Sequence, residues 1–324
     1  MYPPDSAPVA PGPGDRSNSR RGFGRPELDR LVCAIGNTPL IPLRTLVAHA
    51  GGGFELWAKA EHLNPTGSVK DRTARGIVLD AISDGRQTPE RTLLDASSGN
   101  TAVAYAMLGA RLGFTVDLVL PSNAHPSRVN RVRSFGAAVR FTDPTDGTDG
   151  AQREARRRAA AEPDRFFYPD QYNNPSNPRA HYATTGPEIR AQTAGRITHF
   201  VAGVGTGGTI SGTSRFLKEQ NADLRVIGVE PTGPLHGIEG LKHLPTALRP
   251  STYDGTLIDE TLRVDTEAAL EMQSQLNREE GLSVGASAGA AVWAALRVGR
   301  ANPGAIVVTI LPDGGHGPAD GGPP

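Results

Sequence analysis

Asn64-Pro65-Thr66-Gly67-Ser68-Val69-Lys70-Asp71-Arg72 places one lysine after a Pro-Gly turn and at the head of an amphipathic segment. Ala74, Ile77, Val78, Ala81 and Ile82 recur beyond it at helical spacing and Gly85 follows as a stop, so a helix is expected to open at Lys70. A turn that opens a helix gathers unpaired backbone N–H groups, and the helix dipole adds positive potential there. An amine in such a field gives up its proton more readily, and the unprotonated amine is the form that attacks a carbonyl carbon. Taken alone, the segment is better read as a surface lysine in a first helical turn.

Three further glycine-punctuated turns lie downstream. Ser97-Ser98-Gly99-Asn100-Thr101 stands between the apolar Leu93-Leu94 and an alanine-rich helix running toward Gly113. It offers hydroxyls, an amide and a helix N-terminus, a set that suits a carboxylate, although N-capping alone explains the same residues. Gly203-Val204-Gly205-Thr206-Gly207-Gly208-Thr209 follows a β-rich run and precedes another helix, as a phosphate cradle would. Gly203, Gly205 and Gly208 also fit the dinucleotide fingerprint, and Glu230 ends a strand-like run about where a ribose-binding acid would sit. On this segment alone, nicotinamide dinucleotide and pyridoxal phosphate are equally supported. Gly285-Ala286-Ser287-Ala288-Gly289-Ala290 leads into a helix after a short strand; Ser287 could face a ring nitrogen, and tight packing would also explain the small residues.

In this order and at these separations the segments resemble the cysteine synthase and cystathionine β-synthase family of fold type II pyridoxal phosphate enzymes. The resemblance runs from Ile35-Gly36-Asn37-Thr38-Pro39-Leu40 to Leu311-Pro312-Asp313-Gly314-Gly315. It takes in Asp170-Gln171-Tyr172-Asn173-Asn174-Pro175 and Thr184-Thr185-Gly186-Pro187-Glu188. It implies an α/β, tryptophan synthase β-like protein of two domains, each a mostly parallel sheet flanked by helices, with pyridoxal 5'-phosphate between them. Lys70 matches the lysine that holds the cofactor and does the proton chemistry. Asn100 matches the asparagine at the 3′ oxygen, Ser287 the serine at the pyridine nitrogen, and Gly205, Thr206, Gly207, Gly208 and Thr209 the phosphate loop. Ser97, Ser98, Gly99, Thr101 and Gln171 match groups that bind the substrate carboxylate. A dehydrogenase reading gives no account of Lys70, Ser97 to Thr101 or Ser287.

The implied reaction is β-replacement: cysteine from O-acetylserine and sulfide through an α-aminoacrylate, in a cytoplasmic homodimer. A serine hydroxyl facing the ring, unlike a carboxylate, gives little support to a protonated ring nitrogen, which favours elimination over transamination. O-phosphoserine as donor, cystathionine β-synthase activity, other β-replacements and a catalytically weak partner-binding protein are the alternatives. Glu230 to Leu241, beside the substrate in the family, contains no arginine for a phosphorylated donor. Two departures stand out: Ala102, where a glycine is common and a methyl could narrow the site, and the end of the chain after Gly315.

Composition agrees with this reading. The 324 residues can hold two α/β domains. Lys plus Arg is 34 and Asp plus Glu is 34, so no global field attracts nucleic acid or anionic membrane. One cysteine, Cys33, precludes an internal disulfide framework and reads as structural. No apolar stretch approaches the roughly 20 residues that span a bilayer. The histidines show no metal-ligand spacing, and Asp143 to Gly150 reads as turn chemistry rather than calcium ligation, so no metal is expected. Residues 1–26, rich in Pro, Gly, Ser and Arg, read as a disordered tail. The resemblance implies that residues 27–174 form the smaller, mobile domain, with a segment near 42–63 joining the larger, and that 175–324 form the larger. Expected strands fall at 115–120, 137–142, 165–168, 198–201, 224–229 and 304–311, alternating with helices as in parallel sheets.

Overall fold

The computed structural model describes residues 25–97, 99–124 and 126–315. In chain order the main elements are α1 (Arg30–Cys33), β1 (Leu40–Pro42), α2 (Arg44–His49), β2 (Glu55–Lys59), α3 (Lys70–Ser83), β3 (Thr92–Ala96) and α4 (Asn100–Leu112). Next come β4 (Val116–Pro121), α5 (Pro126–Ser134), β5 (Ala138–Thr142), α6 (Gly147–Ala161), β6 (Phe166–Phe167), α7 (Ser176–Ala183) and α8 (Thr185–Gln192). The chain continues through β7 (His199–Gly203), α9 (Gly208–Gln220), β8 (Arg225–Pro231), β9 (Glu260–Val264), α10 (Thr266–Glu280), α11 (Ala286–Ala301) and β10 (Ile306–Ile310).

Two sheets result. One has the order β1-β2-β10-β7-β8-β9, parallel throughout except for the β1–β2 pair; the other has the order β5-β4-β3-β6 and is wholly parallel. Parallel strands covered on both faces read as unbroken apolar runs, and every residue of β4, Val-Asp-Leu-Val-Leu-Pro, is buried. Alternate residues feed different cores. In the larger sheet, Val201, Ile227, Val229 and Val307 pack under α2, α10 and α11, while Phe200, Ala202, Val226, Val308 and Ile310 pack with Ile189, Ile210 and Leu217 of α8 and α9. The smaller sheet is covered by α3, α4 and α5 on one face and by α6 on the other. β5, at an edge, is the exception: its residues are exposed or half-buried.

α3 begins at Lys70, buries Ala74, Ile77, Val78 and Ala81, and ends at Ser83, two residues before Gly85, which takes the left-handed conformation a helix stop needs (φ 78°). Arg153, Arg156 and Arg157 lie on the exposed face of α6, and the Asp143 carboxylate accepts from Thr145 N–H at 2.8 Å in the turn before it. Several expectations need correction. Pro26, counted with the tail, is buried and opens a short 3-10 turn; residues 1–24 lie outside the described region. Cys33, read as structural, is exposed at the end of α1, where its Sγ donates to the Glu27 carbonyl at 3.0 Å. No strand precedes Gly285, only an isolated bridge between Val284 and Gly314. Among the described residues, no helix is long and apolar enough to cross a membrane and no cluster could hold a metal ion.

Candidate active site

A cleft of 370 Å³ opens at the carboxyl ends of β3, β7 and β10 and is lined by Lys70, Ala96, Ala202, Gly203 and Ile310 among others. That is where open parallel sheets accept ligands, and the volume suits a small molecule. Four helices start on it: α3 at Lys70, α4 at Asn100, α9 at Gly208 and α11 at Ala286. The residues that cap α4, α9 and α11 are Gly99, Gly207 and Gly285, so no cap side chain engages their first-turn amides. Unpaired N–H groups and three helix dipoles therefore aim at one space, a donor set for anionic ligands.

The glycines have separate reasons. A Cβ on Gly205 would lie 2.2 Å from the Gly240 carbonyl oxygen, and one on Gly208 would lie 1.9 Å from Asn177 Oδ1. Gly207 adds a positive φ of 84° and would meet Tyr253. The loop is thus pressed against protein on its outer side and bare toward the cleft. Gly99 meets nothing within 4 Å and faces open space.

Lys70 follows a turn closed by Asp71, whose carboxylate accepts from Thr66 N–H at 2.7 Å and from the Thr66 hydroxyl. Burial is what lowers the pKa of Lys70, opposed by the charge of Asp313. The direction matches the expectation from sequence, but desolvation rather than the helix dipole leads. An amine so placed is primed for carbonyl chemistry.

Most of the expected site residues converge here. Ser97, Gly99, Asn100, Thr101, Gln171, Gly205, Thr206, Gly207, Thr209 and Ser287 all line the cleft with Lys70, while Gly208 sits just behind. Ser98 lies outside the described residues. Thr101 Oγ1 donates to Gln171 Oε1 at 2.8 Å, joining α4 to the loop after β6. Ala102 is fully buried in the core against α3, so its methyl does not narrow the cleft. Glu230 lines a different cavity, with Arg249 and Tyr253, which removes the acid that a dinucleotide ribose would require.

Sequence reasoning missed a second group. Asn177 Nδ2 donates to the Gln171 carbonyl at 2.9 Å and to Thr206 Oγ1 at 3.1 Å, and its Oδ1 accepts from Thr73 at 3.0 Å. One amide thus locks the Gln171 loop, the glycine loop and α3 together. His181 sits behind it, its Nδ1 2.9 Å from Thr185 and its Nε2 3.2 Å from Thr209. Arg128 of α5 pairs with Glu239 at the cleft mouth, and Lys242 lies 4.7 Å from the Tyr172 ring centroid. Only amide and hydroxyl residues next to glycines carry a local signal in the sequence; Asn177, His181, Arg128 and Lys242 are brought in by the fold.

Burial, helped by the Arg72 guanidinium, holds His181 at about 3 against its ordinary 6.5. The folded state keeps this imidazole neutral, while the unfolded chain binds a proton below 6.5. Stability is therefore full above 6.5 and drains as pH falls toward 3. At pH 5 the drain is about 2 kcal/mol. His181→Gln should lose less stability than the parent between pH 7 and pH 5 by about that amount in urea denaturation. Parallel losses would mean the imidazole is not held neutral.

A family model for pyridoxal-phosphate dependent enzymes matches residues 33–313. The chain belongs to this family. Its match spans all four turns and every residue of the cleft described above. A cysteine synthase of Aquifex aeolicus is 45% identical over 293 residues, covering 89% of this chain and 90% of that protein. The crystal structure of a cysteine synthase from Entamoeba histolytica aligns with a TM-score of 0.85 at 32% identity, over 88% of this chain and 87% of that one. An O-acetylserine dependent cystathionine β-synthase from Helicobacter pylori aligns with a TM-score of 0.82 at 34% identity, over 88% of this chain and 94% of that one. The fold is that of the type II pyridoxal phosphate enzymes. The glycine-capped helices and a deprotonation-prone lysine fit such a cofactor, which carries a phosphate and an aldehyde.

Proposed function

We propose that this pyridoxal-phosphate dependent enzyme makes L-cysteine from O-acetyl-L-serine and sulfide by β-replacement. The observation that carries the reading is the meeting in one cleft of Lys70, the glycine loop and the Ser97–Thr101 turn clamped to Gln171. In this reading Gly205 to Thr209 hold the phosphate, Asn100 faces the 3′ oxygen and Ser287 the ring nitrogen. The bound cofactor supplies an aldehyde and an electron-withdrawing ring that acidifies the substrate Cα–H. Ser97, Ser98, Gly99, Thr101 and Gln171 take the substrate carboxylate and so orient that bond. Lys70 Nζ, freed by the substrate amine, removes the Cα proton, acetate leaves from Cβ, sulfide adds there, and Lys70 returns the proton. The kinship of the Aquifex and Entamoeba cysteine synthases supports the choice of reaction.

The proposal includes two domains, one around each sheet, the smaller closing over substrate, with β1 and β2 joining the larger. It also includes a cytoplasmic homodimer, in keeping with the exposed, unpaired Cys33 and with family practice. A sedimentation mass of a single chain would refute the dimer.

Purified protein is expected to be yellow and to release acetate and form cysteine from O-acetylserine and sulfide. Material that binds the cofactor but forms no cysteine from any serine ester would sink the reaction assigned. A phosphorylated donor has one observation in its favour. Of the charged side chains lining the cleft, Arg128 pairs with Glu239 and Lys70 faces Asp313, which leaves Lys242 without a carboxylate in ion-pair contact among the described residues. Sequence had offered no arginine there; the structure offers a lysine. If O-phosphoserine is used, Lys242→Ala should lower kcat/KM for it about tenfold or more, while O-acetylserine is little affected. Equal losses on both donors would remove this second reading.

A further inference from the structure

Asn177, on α7, is wholly buried and does not line the cleft, yet it touches two loops that do, those of Gln171 and Thr206. The glycine loop is pressed onto it. A Cβ on Gly208 would lie 1.9 Å from Asn177 Oδ1, and one turn further along α9 a Cβ on Gly212 would lie 2.0 Å from the Pro178 carbonyl oxygen. α9 therefore rests on α7 with no side chain between them at these two positions, and a shift of the amide is a shift of the loop.

A carbonyl oxygen only accepts hydrogen bonds, so the atom that faces the Gln171 main-chain oxygen at 2.9 Å is the amide nitrogen of Asn177. Its second hydrogen then meets Thr206 Oγ1 at 3.1 Å, and Oδ1 is left to accept from the Thr73 hydroxyl at 3.0 Å. Both amide hydrogens are thus committed, one to each loop. The Gln171 loop is also closed on itself: the Asn173 and Asn174 N–H groups each reach the Asp170 carbonyl at 2.9 Å. Thr252 forms a second bridge, its hydroxyl 2.5 Å from the Thr206 carbonyl and its N–H 3.3 Å from that of Tyr172. That bridge grips main-chain atoms of Thr206 and Tyr172, whereas Asn177 grips the Thr206 hydroxyl and Gln171 itself.

We infer that Asn177 is a positioning residue that couples the two loops, so that an anion seated on the glycine loop also fixes the main chain of Gln171. This rests on the proposed function, which puts a phosphate on the first loop and the substrate carboxylate at the second. Coupling of this kind is reciprocal: a ligand that stiffens one loop lowers the ordering cost of binding at the other. A cleft with its phosphate in place is thereby prepared for the substrate carboxylate before substrate enters.

The test is amide hydrogen exchange on the full-length chain stripped of cofactor, with saturating inorganic phosphate as the probe. In the parent, phosphate should slow the Gly205–Thr209 amides by contact and those of Asn173 and Asn174 by coupling, each about fivefold or more. Asn177→Ala should keep the first effect and lose the second. Thr252→Val, which removes the hydroxyl of the other bridge, should keep both. An unchanged second effect in Asn177→Ala, or its loss in Thr252→Val, would overturn the inference, and the parent and Thr252→Val decide even if Asn177→Ala fails to fold. In the holoenzyme, Asn177→Ala should raise KM for O-acetylserine about fivefold or more, with a smaller change in kcat, and should add nothing to that loss in a Gln171→Ala background. Additive losses would mean that Asn177 does not act through Gln171. Phosphate that slows neither segment would bring down the phosphate cradle and this inference together; slowing confined to the glycine loop brings down only the inference.

Discussion

Lys70→Ala is expected to abolish turnover and to remove the visible absorption of the purified protein. The amine is unique in its setting: at the first residue of α3, lining the cleft, and pushed toward its neutral form by burial. The proposed function gives it two tasks, holding the aldehyde and carrying the Cα proton. Lys242, the other lysine of the cleft, stacks on Tyr172 instead. General-base removal alone costs about 10²–10⁴ in rate, and loss of the covalent tether adds to this. An assay of cysteine formation on protein saturated with cofactor and an absorption spectrum taken after dialysis check it. Because the glycine loop and the helix N-termini are untouched, the variant should still bind the cofactor, now released on dialysis and not trapped by borohydride. Turnover at the parent rate would refute the role given to Lys70.

What could be read from sequence was what is local. A glycine with hydroxyl residues at the start of a helix is visible in the sequence, so Ser97, Gly99 to Thr101, Gly205 to Thr209 and Ser287 could be singled out. Each turn alone also had a capping or packing explanation, and only their joint order and spacing pointed to one site. Parallel strands buried on both faces announce themselves as apolar runs: the stretch expected at 224–229 is β8, Arg225–Pro231, and that at 304–311 contains β10, Ile306–Ile310. Contacts across the fold left no such trace. Asp313 meets Asn100 across 213 positions of sequence, and Asn177 reaches Thr73 across 104. Nothing in Ser176-Asn177-Pro178 distinguishes that asparagine from a turn residue. The cause of the Lys70 shift was misjudged for the same reason: a dipole can be inferred from a helix start, whereas desolvation depends on everything packed around it. Lys242 lay one residue beyond the segment searched for a cation, and only the folded cleft shows where it points.

The largest loss of stability should follow Arg72→Met, two residues beyond Lys70. Arg72 is 2% exposed and grips two carboxylates at once. Its Nε and Nη2 bond Glu61 at 2.7 and 2.8 Å, and its Nη1 and Nη2 bond Glu188, each at 2.7 Å. Lys59, wholly buried on β2, meets Glu188 at 2.6 Å and completes a cluster of two cations and two anions. α3 is thereby tied to β2 of one sheet and to α8. Replacing such a cluster entirely by apolar residues can be neutral, but removing one member strands a buried charge, at about 3–5 kcal/mol. Glu61, fully buried, would keep Thr38 and Asn64 as partners and lose the only cation that contacts it among the described residues. Arg72→Lys should recover little of this, since an ammonium cannot grip two carboxylates in a bidentate way. Denaturant midpoints measure both variants. The parent's acid limb supplies a second readout. Opposed by burial but outweighed by the Arg72 and Lys59 contacts, Glu188 is held at about 2 against its usual 4.5. Its contribution is present above 4.5 and is lost as pH falls toward 2, so Arg72→Met should flatten that stretch. A variant as stable as the parent, with the acid limb unchanged, would mean that α3 is held by packing alone and that the ion cluster does not anchor the helix bearing Lys70.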